Sequence, residues 1–172
     1  QASHKVLVEE TVYGEAQGDT RNHHGRIYQQ YDAAGVVTNR GYDFKGNLVE
    51  SSRQLTGEYK KQADWSTPPE LTETFTSFTR FDALNRPVQL IAPHSDRPGT
   101  TINVVQPTYN EANLLEQLHA WLNRAELPAS LLDPATASLH AVTNIDYNAR
   151  GQRERIEYGT QDGAGITTTY EY

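Results

Sequence analysis

The stretch Tyr42-Asp43-Phe44-Lys45-Gly46-Asn47-Leu48 decides the fold, because its pattern recurs along the chain. The pattern is an aromatic residue, then Asp or Asn, two free positions, and then Gly or Asn. The other copies are Tyr31-Asp32-Ala33-Ala34-Gly35, Phe81-Asp82-Ala83-Leu84-Asn85, Tyr109-Asn110-Glu111-Ala112-Asn113 and Tyr147-Asn148-Ala149-Arg150-Gly151. An internal repeat of this kind determines the architecture of the whole chain.

Each position of the repeat has a physical role. The Asp or Asn accepts a hydrogen bond from a backbone N–H two residues on and so starts a turn. Gly, or Asn as second best, supplies the positive φ that closes the turn. The aromatic residue ends a strand, and we expect its ring to stack on its equivalent in the next unit. The repeat therefore predicts an all-β fold of successive hairpins.

Composition narrows the class of protein. The 172 residues suit one domain, and the 10 Tyr and 12 Gly against 4 Phe suit strands and turns around a lean core. A net charge of -7 argues against nucleic acid or an anionic membrane as the main partner. The absence of cysteine excludes disulfides, thiolate zinc sites and cysteine nucleophiles.

The chain lacks methionine and opens at Gln1, so we expect it to be a piece of a longer protein. No run reaches the roughly 18 apolar residues that cross a bilayer. No signal peptide pattern opens the sequence.

Strands are expected where β-rich runs meet the repeat turns, at 6–13, 26–31, 36–42, 48–55, 74–81 and 167–172. Loop insertions are expected at about 60–72 and 125–140. Pro68-Pro69 excludes an interior strand in the first, and we expect Trp65 to tuck back onto the sheet. The second carries Pro128 and Pro134, and should be exposed with one helical turn at most.

One stretch supports two interpretations. Leu114, Leu115, Leu118, Trp121 and Leu122 have the spacing of an amphipathic helix. Some of them also alternate as a strand would, and the repeat turn before Leu114 favours a strand. Periodicity alone favours the helix.

The residue types that carry chemistry have structural explanations here. His23 and His24 would point to opposite faces of a strand, so a solvated loop fits better than a metal site. Asp32, Asp43, Asp82 and Asp146 are expected at turn starts, bonded to their own backbone. Ser51-Ser52 has no nucleophile arrangement around it. We predict no catalytic residue, no cofactor site and no metal site, and hence no enzyme.

Two further clusters also favour structure over binding. The segment 159–165 is glycine-rich but lacks the Lys-Ser/Thr of a phosphate loop, so we predict a hairpin tip there. Arg150, Arg153 and Arg155 stand beside Glu154 and Glu157, which favours a cross-strand ladder of ion pairs. The recurrent tyrosines could stack on sugars, but their regular spacing favours a structural role.

The pattern resembles the YD-repeat, or RHS, family, and within it the middle region of the B subunit of bacterial insecticidal toxin complexes. The likeness is carried by the five copies above, by Gly25-Arg26-Ile27-Tyr28 and by Arg155-Ile156-Glu157-Tyr158-Gly159. It covers nearly the whole chain apart from the loops near Trp65 and Leu131. The structural repeat positions are Tyr31, Asp32, Gly35, Tyr42, Asp43, Gly46, Phe81, Asp82, Tyr109, Asn110, Tyr147, Asn148, Gly151 and Tyr158.

The resemblance implies that the hairpins form part of a hollow shell with little helix, and it favours a strand at Leu114 to Leu122. Such a shell would contain a cytotoxic C-terminal cargo within a secreted bacterial toxin complex. The implied partners are neighbouring repeats of the parent chain and a C-component subunit or the cargo, and the isolated piece could self-associate through sheet edges. The alternative is an extracellular module that binds carbohydrate or a partner.

Overall fold

A computed structural model describes residues 5–58, 60–160 and 165–172. Within them the first strands are β1 (Glu10–Tyr13), β2 (Ile27–Asp32), β3 (Gly35–Tyr42), β4 (Leu48–Thr56), β5 (Leu71–Phe81) and β6 (Pro87–Ser95). The later ones are β7 (Ile102–Tyr109), β8 (Leu115–Arg124), β9 (Leu139–Val142), β10 (Asn144–Tyr147), β11 (Arg153–Tyr158) and β12 (Ile166–Thr169).

The strands follow one another in the sheet as they do in the sequence. One sheet has the order β1 to β9, a second has the order β10, β11, β12, and the described pairings are antiparallel. Two short 3-10 helices, Gly14–Gln17 and Pro134–Thr136, are the only helical elements in the described part of the chain. None of its helices has the length and apolar character to span a membrane. The prediction of an all-β fold of repeated hairpins is confirmed.

The chain divides into two units. The first comprises Gln1–Thr79 and Pro93–Thr100, and the second comprises Arg80–Ala92 and Thr101–Tyr172. Each has its own hydrophobic cluster.

The core of the first unit lies under the loop that joins β4 to β5. Val36, Ala63 and Trp65 are buried together, with Tyr31 and Leu71 packed against them. Trp65 is 5% exposed, and its indole Nε1 donates to the Asp32 carbonyl at 3.2 Å. The expected return of Trp65 onto the sheet is therefore confirmed, and the loop after β4 covers the β2–β3 turn.

The β-rich opening run is shorter than expected. A strand over 6–13 was predicted, but β1 begins at Glu10, and Val6, Leu7 and Val8 are about 40% exposed. The backbone of this run is hydrogen-bonded to the loop after β4. The Leu7 amide donates to Asp64 Oδ1, and the Leu7 carbonyl accepts from the Trp65 amide. This segment is bonded to the loop instead of the sheet.

The core of the second unit joins β8 and β9 to the three-stranded sheet. Val142, Ile145 and Ile156 are buried, and the partly buried side chains packed against them are Leu115, Leu118, Tyr147 and Tyr158. Strand β12 ends at Thr169, so only part of the predicted strand 167–172 is strand. The predicted hairpin tip 159–165 lies largely outside the described residues, between the paired strands β11 and β12.

The stretch Leu115 to Leu122 lies in strand β8, so the helix indicated by periodicity over Leu114 to Leu122 is wrong. β8 pairs with β7 on one side and β9 on the other. His119, Ala120 and Trp121 are buried in succession, because side chains from both faces of β8 are covered. A strand covered on both faces loses its simple alternation and can imitate helical spacing.

The loop after β8 is fastened to the sheet by two buried glutamines. Gln89 is 0% exposed, and its Nε2 donates to Gln106 Oε1 at 2.7 Å and to the Ser130 carbonyl at 3.2 Å. Gln106 binds both backbone groups of Leu132. Most of the loop's side chains are exposed, but its backbone is anchored.

Candidate functional site

The repeat positions form turns with one common set of hydrogen bonds. In four copies the side-chain Oδ1 accepts from the backbone N–H groups two and four residues on, at 2.8–3.0 Å. The backbone of the same residue donates to the carbonyl four residues on and accepts from the amide three residues on. The side chains are those of Asp43, Asp82, Asn110 and Asn148. Asp and Asn both serve because the turn needs an acceptor oxygen.

The last position of the pattern has left-handed backbone in these four turns. The φ angles are 94° at Gly46, 62° at Asn85, 63° at Asn113 and 75° at Gly151. Asn tolerates this region better than other non-glycine residues. This explains why Asn replaces Gly in two copies without loss of the turn.

The copy at Asp32 makes a tighter turn. Asp32 pairs directly with Gly35 in the β2–β3 ladder, and its Oδ1 accepts from the amides of Ala34 and Gly35 at 2.8 and 3.1 Å. Gly35 has φ 144°, and a Cβ at this position would lie 1.9 Å from the Gln54 carbonyl oxygen. Both the backbone angle and the lack of space require glycine.

The turn hydrogen bonds favour the ionised carboxylates. Burial raises the pKa of Asp43, but hydrogen bonds from the Asn47 side chain and from backbone amides outweigh it, and the pKa lies below its usual value. Burial also raises the pKa of Asp82 and Asp32, but hydrogen bonds from backbone amides and from arginine side chains outweigh it. The pKa of each carboxyl therefore lies below its usual value. These three turns are therefore strongest when the carboxylates are charged.

The tyrosine that opens a turn bonds to the start of a strand earlier in the chain. Tyr109 Oη donates to the Pro87 carbonyl at 2.9 Å. Burial, which outweighs the nearby charge of Arg86, raises the pKa of Tyr109 and keeps this hydroxyl protonated. The same bond joins Tyr42 to Ile27 at 2.7 Å and Tyr147 to Leu115 at 2.6 Å. Each acceptor is the first residue of an earlier strand.

An arginine covers the tyrosine ring in two of these links. The guanidinium carbon of Arg86 lies 4.5 Å from the Tyr109 ring centre, and that of Arg26 lies 5.3 Å from the Tyr42 ring centre. Arg86 also binds Asp82 within its own turn and donates from Nη1 to Asn113 Oδ1 of the next turn at 2.8 Å. Sequence reasoning missed both arginines, although each directly precedes the strand residue that accepts the hydroxyl.

The expected ring-on-ring stack of successive tyrosines does not form among the described residues. The physical reason is the hydroxyl, whose bond to a carbonyl directs each ring to the backbone at the start of an earlier strand. The ring face is then available to a guanidinium, whose positive charge is attracted to it.

The remaining aromatic repeat positions have other surroundings. Tyr31 Oη donates to Gln29 Oε1 at 2.9 Å, and its ring meets the edge of Trp65 with centres 4.8 Å apart. Phe81 ends β5 and has no hydroxyl to donate. Tyr158 ends β11 and packs against the core of the second unit.

His23 is buried, so the prediction that His23 and His24 lie in a solvated loop is wrong for the first of them. His23 is 4% exposed, and its Nε2 lies 2.9 Å from the Asn39 carbonyl. Its ring meets the edges of Tyr28 and Tyr42. The tight approach of Gly14, where a Cβ would lie 2.4 Å from His23 Cβ, makes room for the ring. His24 is exposed and pairs with Asp19.

Two other polar assignments are also corrected. Asp146 lies within β10 instead of at a turn start, and its Oδ1 accepts from Asn144 Nδ2. The turn acceptor is Asn148, two residues later. Arg155 pairs with Glu157 at 2.7 Å along the same strand, not across two strands as expected.

No group of three or more His, Asp or Glu side chains in the described part of the chain is placed to hold a metal ion. Two histidine side chains lie close together, with His119 Nδ1 and His140 Nδ1 3.0 Å apart. A cavity of about 440 Å³ beside His140 is lined by Thr143, Tyr158 and Thr160. The dominant feature of the molecule is thus a series of linked turns.

These features define a repeat protein built from consecutive antiparallel hairpins. No protein-family model matches the sequence, and no curated protein matches it. Solved structures do match. The chain is 21% identical to a chain of a Tc holotoxin pore from Photorhabdus luminescens, with a TM-score of 0.72 over 100% of this chain and 7% of that one.

Crystal structures of TcdB2-TccC3 also match the fold of this chain over nearly its whole length. The complex with Cdc42 has 21% identity and a TM-score of 0.70, and TcdB2-TccC3 itself has 22% identity and a TM-score of 0.68. Each covers 97% of this chain, which spans 7% of the matched chain. The chain therefore has the fold of a segment of these toxin-complex proteins, as its resemblance to the YD-repeat family predicts.

Proposed function

We propose that this chain is a structural segment of a YD-repeat shell that contains and protects a cytotoxic C-terminal cargo. The observation that carries the proposal is the fold match to Tc toxin chains over nearly the full length of this sequence. The segment itself has no enzymatic activity, and the complete protein is a secreted virulence factor. Its mechanism is containment by a continuous wall.

The linked turns give this wall its mechanical continuity. Each link runs from a repeat turn to the start of an earlier strand, as in Tyr109 to Pro87 and Tyr147 to Leu115. Repeat proteins of this kind are stabilised mainly by contacts between neighbouring units, so their length can grow without a larger core. A sheet with regularly tied ends exposes few flexible loops to a protease.

The partners of the segment follow from its sheet edges. Within the described strands, β1 and β9 stand at the ends of one strand order and β10 and β12 at the ends of the other, and an open edge pairs readily with another strand. In the parent protein these edges would pair with neighbouring repeats, and the inner face of the wall would meet the cargo or a C-component subunit. The isolated piece should self-associate through the same edges. A monodisperse monomer at high concentration in analytical ultracentrifugation would contradict that expectation.

Containment can be tested by limited proteolysis of the parent chain, with the protected fragments identified by mass spectrometry. We expect a C-terminal segment that resists digestion until denaturant is added. Gly35→Ala should weaken protection more than Gly99→Ala, because a Cβ at Gly35 meets the Gln54 carbonyl and one at Gly99 has open space. Rapid loss of the C-terminal segment from the native protein would overturn the proposal.

A carbohydrate-binding or partner-binding module is the second candidate. It is favoured by the exposure of Phe44, Tyr13, Tyr170 and Tyr172, because exposed aromatic rings can stack on sugars. It is disfavoured by Trp65 and Trp121, which are 5% and 2% exposed. Retention on a glycan array that is lost in Tyr170→Ala and Tyr172→Ala but kept in Tyr147→Phe would favour this candidate over the shell.

A further inference from the structure

Two histidines face each other across the β8–β9 pairing. His119 on β8 is register partner to His140 on β9, and their Nδ1 atoms lie 3.0 Å apart. The rings are nearly perpendicular, with centres 5.0 Å apart. His119 is 5% exposed, while His140 is exposed to solvent. A direct bond between two imidazoles needs one N–H and one lone pair.

The neighbours of the pair determine which ring donates. His119 Nε2 lies 3.2 Å from Gln117 Oε1, and an amide oxygen accepts, so His119 carries its proton on Nε2. Its Nδ1 is then a lone pair, and the proton in the bond belongs to His140 Nδ1. A proton added to the exposed Nε2 of His140 leaves this bond intact. A proton added to His119 Nδ1 places two N–H groups face to face.

In the part of the chain that the structure describes, neither histidine forms an ion pair with a carboxylate. The residues around His119 on its own and the adjoining strand, Gln106, Gln117 and Trp121, are uncharged. Among the described residues that line the cavity beside His140, the other titratable side chain is that of Tyr158 on β11. Burial, followed by the charge of His140, lowers the pKa of His119 below its usual value.

We infer that the His119–His140 pair is an acid-sensitive joint that loosens β9 from β8 when both rings become protonated. Because the pKa of His119 is lower in the folded state, its contribution to stability is complete above about pH 6.5, the ordinary value for histidine. It is lost as the pH falls from there through the folded-state pKa. The effect is local and does not require the proposed shell function.

Strand β9 is a sensitive place for such a joint. It has four residues, it pairs with β8, and only Thr143 separates it from β10 of the three-stranded sheet. Val142 belongs to the core cluster of the second unit, beside Ile145 and Ile156. Loss of the β8–β9 bonds would therefore also weaken that cluster.

Hydrogen–deuterium exchange of the parent chain, followed by mass spectrometry between pH 7.5 and 4.5 with a chelator present, tests the inference. After correction for intrinsic rates, amides of 139–142 should lose at least tenfold protection on acidification while those of 104–106 keep theirs. His119→Gln, which retains an acceptor but cannot be protonated, should abolish the loss. His24→Gln, outside the pair, should not. Equal acid loss in wild type and His119→Gln would overturn the inference.

A second measurement does not depend on the folding of any variant. Exchange of the imidazole C2 hydrogen, read by mass spectrometry, reports the titration of each histidine in the wild-type chain. We expect His119 to titrate below the ordinary histidine value and the β9 amides to lose protection as His119 is protonated. Titration of His119 at or above the ordinary histidine value would also overturn the inference.

Discussion

Arg86 covers the ring of Tyr109 with its guanidinium carbon 4.5 Å from the ring centre, and by this contact one repeat turn is joined to the next. The same side chain binds Asp82 in its own turn and Asn113 in the following one. A planar guanidinium can make all three contacts at once, whereas an ammonium cannot. Arg86 therefore acts as a bridge within the second unit.

Replacement of Arg86 by lysine should destabilise the chain despite the retained charge. The variant loses the contact that Nε and Nη2 of Arg86 both make with Asp82 Oδ2, and most of the contact with the Tyr109 ring. We expect a loss of roughly 1–2 kcal/mol in the free energy of unfolding. The matched control is Arg97→Lys, because Arg97 forms an exposed ion pair with Glu73 that should contribute less than about 1 kcal/mol. Equal effects of the two variants in urea denaturation would contradict the bridging role.

Removal of a single hydroxyl tests the links between connections. Tyr109→Phe and Tyr147→Phe each leave a carbonyl without its tyrosine donor, so each should cost about 0.5–1.5 kcal/mol of stability. Tyr172→Phe is the control, since Tyr172 is 74% exposed and should change stability little. Thermal unfolding of the variants gives the comparison. An unchanged thermal midpoint in Tyr109→Phe would show that this hydroxyl does not stabilise the chain.

The turns were predictable because their chemistry is local. An acceptor at the second position and positive φ at the last are visible in the residues themselves, as Asp43 and Gly46 illustrate. The links between turns were not, because Arg86 and Tyr109 are brought together only by strand pairing across the sheet. Sequence spacing also cannot show how far a residue such as His23 is covered by a distant segment.

Glycine substitutions separate backbone strain from steric conflict. Gly35 and Gly99 both have positive φ, but a Cβ at Gly35 would lie 1.9 Å from the Gln54 carbonyl oxygen and one at Gly99 meets nothing within 4 Å. Gly99→Ala should cost about 1–2 kcal/mol from the backbone alone. Gly35→Ala should cost about 1–3 kcal/mol more, measured as the shift in the urea midpoint. Similar shifts for the two variants would contradict the crowding seen at the β2–β3 turn.

Acid should weaken the turns that begin with Asp and spare those that begin with Asn. Hydrogen bonds lower the pKa of Asp43 and Asp82 against the opposing effect of burial, so their stabilising effect is present above about pH 4. It is lost as the pH falls through the lowered folded-state pKa. Asn110 and Asn148 carry no charge to lose.

The acid effect can be assigned with matched substitutions of Asp by Asn. Asp43→Asn and Asp82→Asn keep the turn acceptor but remove the titration, so the fall in thermal midpoint between pH 5 and pH 2.5 should be smaller than in the wild type. Asp146→Asn makes the same chemical change outside a turn start and should leave the fall unchanged. A pH profile that is identical in all four proteins would show that the turn carboxylates do not govern acid stability.

The two-sided burial of β8 illustrates where sequence pattern reaches its limit. Leu115 and Leu118 face the core cluster of the second unit, and Trp121 Nε1 donates to Thr136 Oγ1 of the following loop at 3.0 Å. Covering elements on both faces remove the polar alternation that identifies a strand. The repeat, a longer-range signal, gave the correct assignment.

Containment can be seen directly by electron cryomicroscopy of the parent chain. We expect a closed wall of consecutive β-hairpins in which this segment is one part, around a cavity that holds density from the C-terminal cargo. A solid core in place of a cavity, or an open sheet whose C-terminal region lies outside, would contradict containment.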